Sequence, residues 1–214
     1  MDIFTILALC YSLSSPESLE LKKEYNCQEI QADYLHELKT IKFEEGDLEA
    51  IKRITYAEAM DQGGLGITAV IFVILNRQLS GKYGASIQEV INAKNQFEPA
   101  TRVNGWINLP KASKSHEATV ETIVSLIMSG NLLDPTHGSF YFQNPVVVSK
   151  REHAGKTSKG LTRFGNKKPT VKIKDHEFYV ENKLTKDFNP VQIDETWDVF
   201  GNRNRNTKKV MFFH

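Results

Sequence analysis

The sequence predicts an α+β fold, a mainly helical body followed by a small antiparallel β-sheet. Two observations carry this. Apolar residues recur at helical spacing from Asp47 to Ser129, and strand-like composition appears only after Asp134-Pro-Thr. The 214 residues can bury one good core, and 40% hydrophobic with 25% charged residues is ordinary for a globular chain. The expected divisions are residues 1–14, a signal peptide or a hydrophobic N-terminal helix; 15–45, a polar lead-in; 46–182, the main domain; and 183–214, a C-terminal extension.

The elements follow in order. Met1 to Leu13 is an apolar run leading into Ser14-Ser15-Pro16, as in an export signal, but Asp2 stands where a basic residue is usual and the first lysine is Lys22. Both readings of this segment stay open. If it is removed, Cys10 goes with it and Cys27 is left unpaired; two cysteines offer neither a disulfide framework nor a cysteine-rich zinc site. Residues 16–45 are polar with some helical character. Asp47 can cap a helix running to about Met60, with Glu45 and Glu49 near its favourable N-terminal end. Gly63, Gly64 and Gly66 break the chain, and Ile67 to Arg77 then reads as a helix apolar on nearly all sides, a buried central element. Its apolar stretch, Ile67 to Leu75, is shorter than the roughly 20 residues a bilayer requires, so no stable membrane span is expected.

Ser86-Ile-Gln-Glu89 is a capping-box pattern opening a short helix to about Ala93, and Lys94 to Pro110 reads as loop. A further helix spans roughly Ala112 to Ser129, with Gly130 as its C-cap. Ser139 to Gln143, Val171 to Lys174 and Phe178 to Val180 have strand composition, with Asp175-His-Glu177 as a bulge or turn. Beyond Lys183 the chain is polar and ends in a basic run, Asn202 to Lys209.

Glu58 is the residue that breaks the pattern. It lies seven residues after Ile51 and four after Ile54, on the helical face that turns toward the core. A carboxylate held against aliphatic neighbours loses hydration of its charged form, so its pKa rises, which suits a group that donates a proton near neutral pH. The alternative is a solvated acid at a frayed helix end, since glycines follow at once. A net charge of +1 argues against nucleic acid as partner. The balance is uneven, however: nine Lys or Arg between Lys150 and Lys174 face only Glu152, a solvated loop or an attractor of an anionic polymer.

Four separated segments together resemble the SleB-type cell wall hydrolases. They are Tyr56-Ala-Glu-Ala59 with its glycines, Ala69 to Asn76-Arg77, Gln96-Phe97, and Asp134-Pro-Thr-His-Gly-Ser-Phe-Tyr-Phe-Gln-Asn-Pro145 closed by His176-Glu-Phe-Tyr179. The resemblance spans residues 50–180 and implies a lysozyme-like, lytic-transglycosylase-like fold acting on the glycan strand of peptidoglycan, with no cofactor and no metal. It places the family's catalytic acid on Glu58 and suggests Gln96, Phe97, Thr136, Tyr141, Asn144, His176 and Tyr179 as substrate-binding residues. Strand alternation sets Tyr141 and Gln143 on one face and Phe140 and Phe142 on the other.

Glycoside cleavage usually needs two carboxylates. Asp61 is doubtful because of the glycines, and Asp134 is better read as a turn acid before Pro135. A single-acid, anhydro-forming cleavage and an ordinary hydrolysis both remain open. Departures from the family pattern are His137 where glycine is common, Ser139 where alanine is common, and a longer, more basic segment before Ile173, which suggests contact with anionic wall polymers. The resemblance implies action at the wall: a periplasmic or secreted protein, or a phage lysin that reaches it through a holin or in the virion. The alternatives are a non-catalytic wall-binding or virion protein, and a metal-dependent hydrolase using Asp134, His137, His153 and His176, for which no ligand pair has the usual spacing.

Overall fold

The computed structural model describes residues 2–12, 24–182, 184, 188 and 190–193. The helical elements of the first part are α1 (Ile3–Ser12), α2 (Cys27–Thr40), α3 (Asp47–Ala59), α4 (Gly63–Ser80), α5 (Ile87–Asn92), α6 (Glu98–Arg102), a 3-10 turn at Trp106–Asn108, and α7 (Lys114–Met128). There follow β1 (Tyr141–Gln143), α8 (Pro145–His153), a distorted helical turn at Arg163–Asn166, β2 (Val171–Ile173), β3 (His176–Tyr179) and β4 (Val191–Ile193). The fold is α+β and mainly helical, as its patterning predicts.

Helix α4 is the axis. Every residue from Leu65 to Arg77 is buried, because a stretch apolar on all sides lowers its free energy only when neighbours cover all of it. At 18 residues α4 is longer than the expected apolar core, and it is long and apolar enough to cross a membrane; most of it is instead buried inside the protein. Helices α3, α5 and α7 and the N-terminal pair α1–α2 surround it, with Ile51, Ile54, Ile71, Ile74, Val90, Val120 and Ile123 in one shared core. The opposite flank of α4 meets the sheet, where Leu65, Ala69 and Val73 pack on Val171, Ile173 and Phe178.

The sheet order is β1-β3-β2-β4. Its first two pairings are antiparallel, in register Tyr141↔Tyr179 and Val171↔Phe178, while β2 and β4 are parallel. The sheet is therefore mixed rather than antiparallel, since β4 comes from the segment read as a polar extension. The turn before β3 lies at Lys174-Asp175, with Lys174 at φ 48°, and His176 already belongs to the strand.

Several local expectations are corrected. The N-cap of α3 is Gly46, at φ 89°, and Asp47 is the first helical residue; its carboxylate accepts from Glu44 N and Gln88 Nε2, which draws it inward. The Lys94 to Pro110 segment contains α6 and the 3-10 turn, both too short to show a period. Helix α8 was not anticipated: it buries no side chain, so it leaves no apolar stripe in the sequence. Ser86 does cap α5, its Oγ accepting from Glu89 N at 3.2 Å.

The two cysteines form a disulfide, Cys10–Cys27, which ties α1 to α2. Helix α1 buries Phe4, Leu7 and Ala8. Phe4 packs edge-on against Phe140 at 4.6 Å, and Gly138 lets the two backbones meet: a Cβ there would lie 3.1 Å from the Phe4 carbonyl oxygen. The expected cleavage zone Ser14-Ser15-Pro16 and the basic run from Asn202 to Lys209 lie outside the described residues.

Candidate active site

Glu58 stands in the last turn of α3, on the stripe that Ile51 and Ile54 continue into the core. It is half-buried, and no hydrogen bond among the described residues holds its carboxylate. Burial, reinforced by the negative charge of Glu98 and opposed by the cation of Arg77, pushes its pKa up to about 7. Near pH 7 the Glu58 carboxyl therefore still carries its proton in part, as a proton donor must.

Arg77 is the cation whose charge reaches Glu58. Its position near the end of α4 buries the guanidinium, whose Nε donates to the Phe140 carbonyl at 2.7 Å and whose Nη1 donates to the Gln96 carbonyl at 3.4 Å. The rings of Phe97, Tyr83 and Tyr141 lie 4.7, 5.5 and 5.9 Å from its central carbon. Desolvation lowers the Arg77 pKa to about 10, which leaves it cationic near pH 7. The hydroxyls of Tyr83 and Tyr141 share a hydrogen bond, and the Lys167 ammonium lies 5.8 Å from the Tyr141 ring. Burial and that shared bond raise the Tyr83 pKa, so the phenol stays neutral.

Phe97, Tyr83, Tyr141 and the Gln96 backbone carbonyl are therefore gathered around Arg77, whose charge also reaches Glu58. The Gln96 side chain is half-exposed and has no hydrogen-bond partner among the described residues, while Phe97 is buried as the floor under the guanidinium. Tyr141 lies on the sheet face opposite Phe142, as alternation predicts.

The other expected substrate contacts are placed elsewhere. Thr136 is wholly buried, and its hydroxyl donates to Asp134. Asn144 caps α8, its Oδ1 accepting from Val146 N and Val147 N. His176 lies on the other side of the sheet, edge-on to Phe142 at 5.3 Å, where burial lowers its pKa. Tyr179 is fully buried and donates to Glu177, which also receives Arg163.

Asp134 is the hub of its turn. Its carboxylate accepts from Tyr34 Oη, Asn76 Nδ2, Thr136 N, Thr136 Oγ1 and Gly138 N, at 2.7 to 3.0 Å. The histidines of the metal alternative are scattered. His137 is buried under Tyr11, stacked at 4.2 Å with its pKa lowered by burial to about 3; His153 bonds its own helix; His176 is among phenylalanines. Among the described residues no three His, Cys, Asp or Glu side chains are placed to hold a metal ion.

The basic stretch is partly spent inside the protein. Arg151 pairs with Glu98 and Arg163 with Glu177, and Lys167 and Lys168 donate to the carbonyls of Glu181 and Phe188. Arg77, Tyr83 and Glu98 are site residues that motif reading left without a role. The signal for Arg77 was present: a charge one turn from the end of a wholly apolar helix must have partners.

The candidate site is thus a half-buried acid whose charge is coupled to a buried arginine, and that arginine is surrounded by aromatic rings. The family model for Cell Wall Hydrolase matches residues 61–179, and the chain belongs to this SleB-type family, whose substrate is peptidoglycan. The match begins at Asp61, just past Glu58. No curated protein matches the chain. No solved structure matches it.

Proposed function

We propose that the protein cleaves the glycan strand of peptidoglycan with Glu58 as general acid and then general base. The observation that carries this reading is the half-buried Glu58 carboxyl, with its pKa raised to about 7 and with no hydrogen bond among the described residues. Glu58 gives its proton to the glycosidic oxygen as the bond from C1 to that oxygen breaks. The Arg77 cation favours the carboxylate left behind, since it is the group that lowers the Glu58 pKa. That carboxylate then takes the proton of the muramyl C6 hydroxyl as its oxygen bonds to C1, giving a 1,6-anhydro product and restoring the acid.

The anhydro route is favoured over hydrolysis because Glu98, the carboxylate whose charge reaches Glu58, is held in ion pairs with Arg102 and Arg151 rather than left free to activate water. The disulfide favours work in an oxidising compartment, consistent with action on the wall from the periplasmic or outer side. The test is lysis of purified peptidoglycan by the wild type and by Glu58→Gln, with mass spectrometry of the released fragments. Loss of lysis in a folded mutant, and fragments lighter by one water without a reducing end, are expected. Undiminished lysis by Glu58→Gln overturns the assignment, and reducing-end fragments overturn the anhydro route alone.

A further inference from the structure

We propose that Glu98, fixed between Arg102 and Arg151, is the second carboxylate of the candidate site, a positioning residue that acts on the reaction through Glu58. This rests on the reading of Glu58 as the acid. Glu98 opens α6, directly after the Phe97 ring that underlies Arg77, and α6 packs against α3, which carries Glu58. Its two oxygens take a forked pair of hydrogen bonds from Arg151, both at 3.0 Å, and Arg102 adds one at 2.7 Å. Arg151 comes from α8, which buries no side chain of its own, so this pair bridges α8 to α6.

The consequences are electrostatic. Its hydrogen bonds with Arg151, then those with Arg102, hold Glu98 below the usual carboxylate range, so it is ionised wherever the enzyme works. An ionised carboxylate near a partly buried one opposes ionisation of the second, and the two groups are driven toward opposite protonation states.

The charges that act on Glu58 are those of Glu98 from α6 and Arg77 from α4. The remainder are engaged elsewhere. On α3 itself, Lys52 pairs with Glu121 of α7 and Arg53 with Glu49 and the carbonyls of Ile107 and Leu109, while His116 of α7 meets Thr55 and Tyr56. From α5, Glu89 accepts from Ala85 N. Glu98 therefore adds to burial in holding the proton on Glu58 against the pull of Arg77, without touching substrate.

The test is the pH profile of lysis for the wild type, Glu98→Gln and Glu98→Asp, with Glu58→Gln as the inactive control. Isotope-labelled glutamate NMR, which needs no turnover, follows the Glu58 titration directly. In Glu98→Gln the alkaline limb and the Glu58 titration should both move to lower pH. The rate at neutral pH then falls several-fold relative to the acid-side plateau, which stays near the wild-type level. Glu98→Asp should restore both. Added salt should move the wild-type limb in the same direction and the Glu98→Gln limb less, because the side chain of Glu98 is about half exposed.

An unmoved titration in folded Glu98→Gln overturns the proposal while leaving Glu58 as the acid. Inactivity of Glu98→Gln at every pH also overturns it, since Glu98 would then be a catalytic group. Retained lysis in Glu58→Gln removes the reading on which it rests, and the proposal falls with it.

Discussion

Arg77 and Phe140 are joined across 63 positions of sequence by a hydrogen bond of 2.7 Å, from the guanidinium Nε to the carbonyl oxygen. That bond fixes the end of the core helix to the start of the sheet and orients the guanidinium beside Glu58. Replacing Arg77 by Met keeps much of its volume but leaves the buried carbonyl of Phe140 and the part-buried carbonyl of Gln96 without these donors. The expected cost is about 1–3 kcal/mol for each unsatisfied group, measured by denaturant unfolding. The lost cation should also raise the Glu58 pKa, so any residual activity should extend to higher pH. An unchanged alkaline limb in a folded Arg77→Met protein contradicts the placement of Arg77 at the acid.

The Glu58 carboxyl should also be visible in stability. Its native pKa of about 7 lies above the ordinary value of 4.5, so the folded state holds the proton longer than the unfolded chain does. Stability is then lost as pH rises from about 4.5 to about 7 and stays lost above that. Glu58→Gln removes the titration. Its melting temperature should exceed that of the wild type at pH 8, by a free energy on the order of 1–3 kcal/mol, and match it near pH 4. Equal melting curves at both pH values count against a perturbed Glu58.

Both carboxylates singled out by their position in the sequence prove to be constrained, in opposite senses. Glu58 was legible because a helix's apolar stripe exposes an acid that violates it. Asp134 was legible as a turn acid because Asp before Pro and Thr favours an Asx turn, and Thr136 N does donate to it at 2.7 Å. Thr136 and Asn144 carried the composition of groove residues, but the same polar atoms are consumed by the turn and by the α8 cap, and no local pattern distinguishes the two uses. With Asp175-His-Glu177 read as a bulge or turn, strand alternation stops short of Glu177, which in fact lies on the same face of β3 as Tyr179 and takes its hydroxyl. Glu98 was invisible for another reason: its partner Arg151 is 53 residues away on a helix with no stripe.

Asp134 should be structural and not catalytic. It accepts five hydrogen bonds from groups on α2, α4 and its own turn, and Asn can accept only at its remaining oxygen. Asp134→Ala should cost about 3–5 kcal/mol, comparable to breaking a buried charged network. Asp134→Asn should cost less and keep the pH profile of lysis unshifted at permissive temperature. A shifted profile in folded Asp134→Asn contradicts the separation of this hub from the acid.

The Cys10–Cys27 bond sets the last expectation. It closes a segment with a sequence separation of 17, a size for which loop closure in the unfolded chain is worth about 3 kcal/mol. In a chain of this size that corresponds to about 6–12 °C in melting temperature. Reduction by a dithiol, or the double substitution Cys10→Ser and Cys27→Ser, should lower the melting point by that amount. The loss should reach the groove as well, because α1 presses Phe4 onto Phe140 and Tyr11 onto His137, on the turn whose Phe140 carbonyl holds Arg77. Lysis by the reduced protein should therefore fail at a lower temperature than lysis by the oxidised one, while the double mutant shows no response to the dithiol. If reduced and oxidised forms melt together, α1 is held by packing alone and the bond adds nothing to the fold.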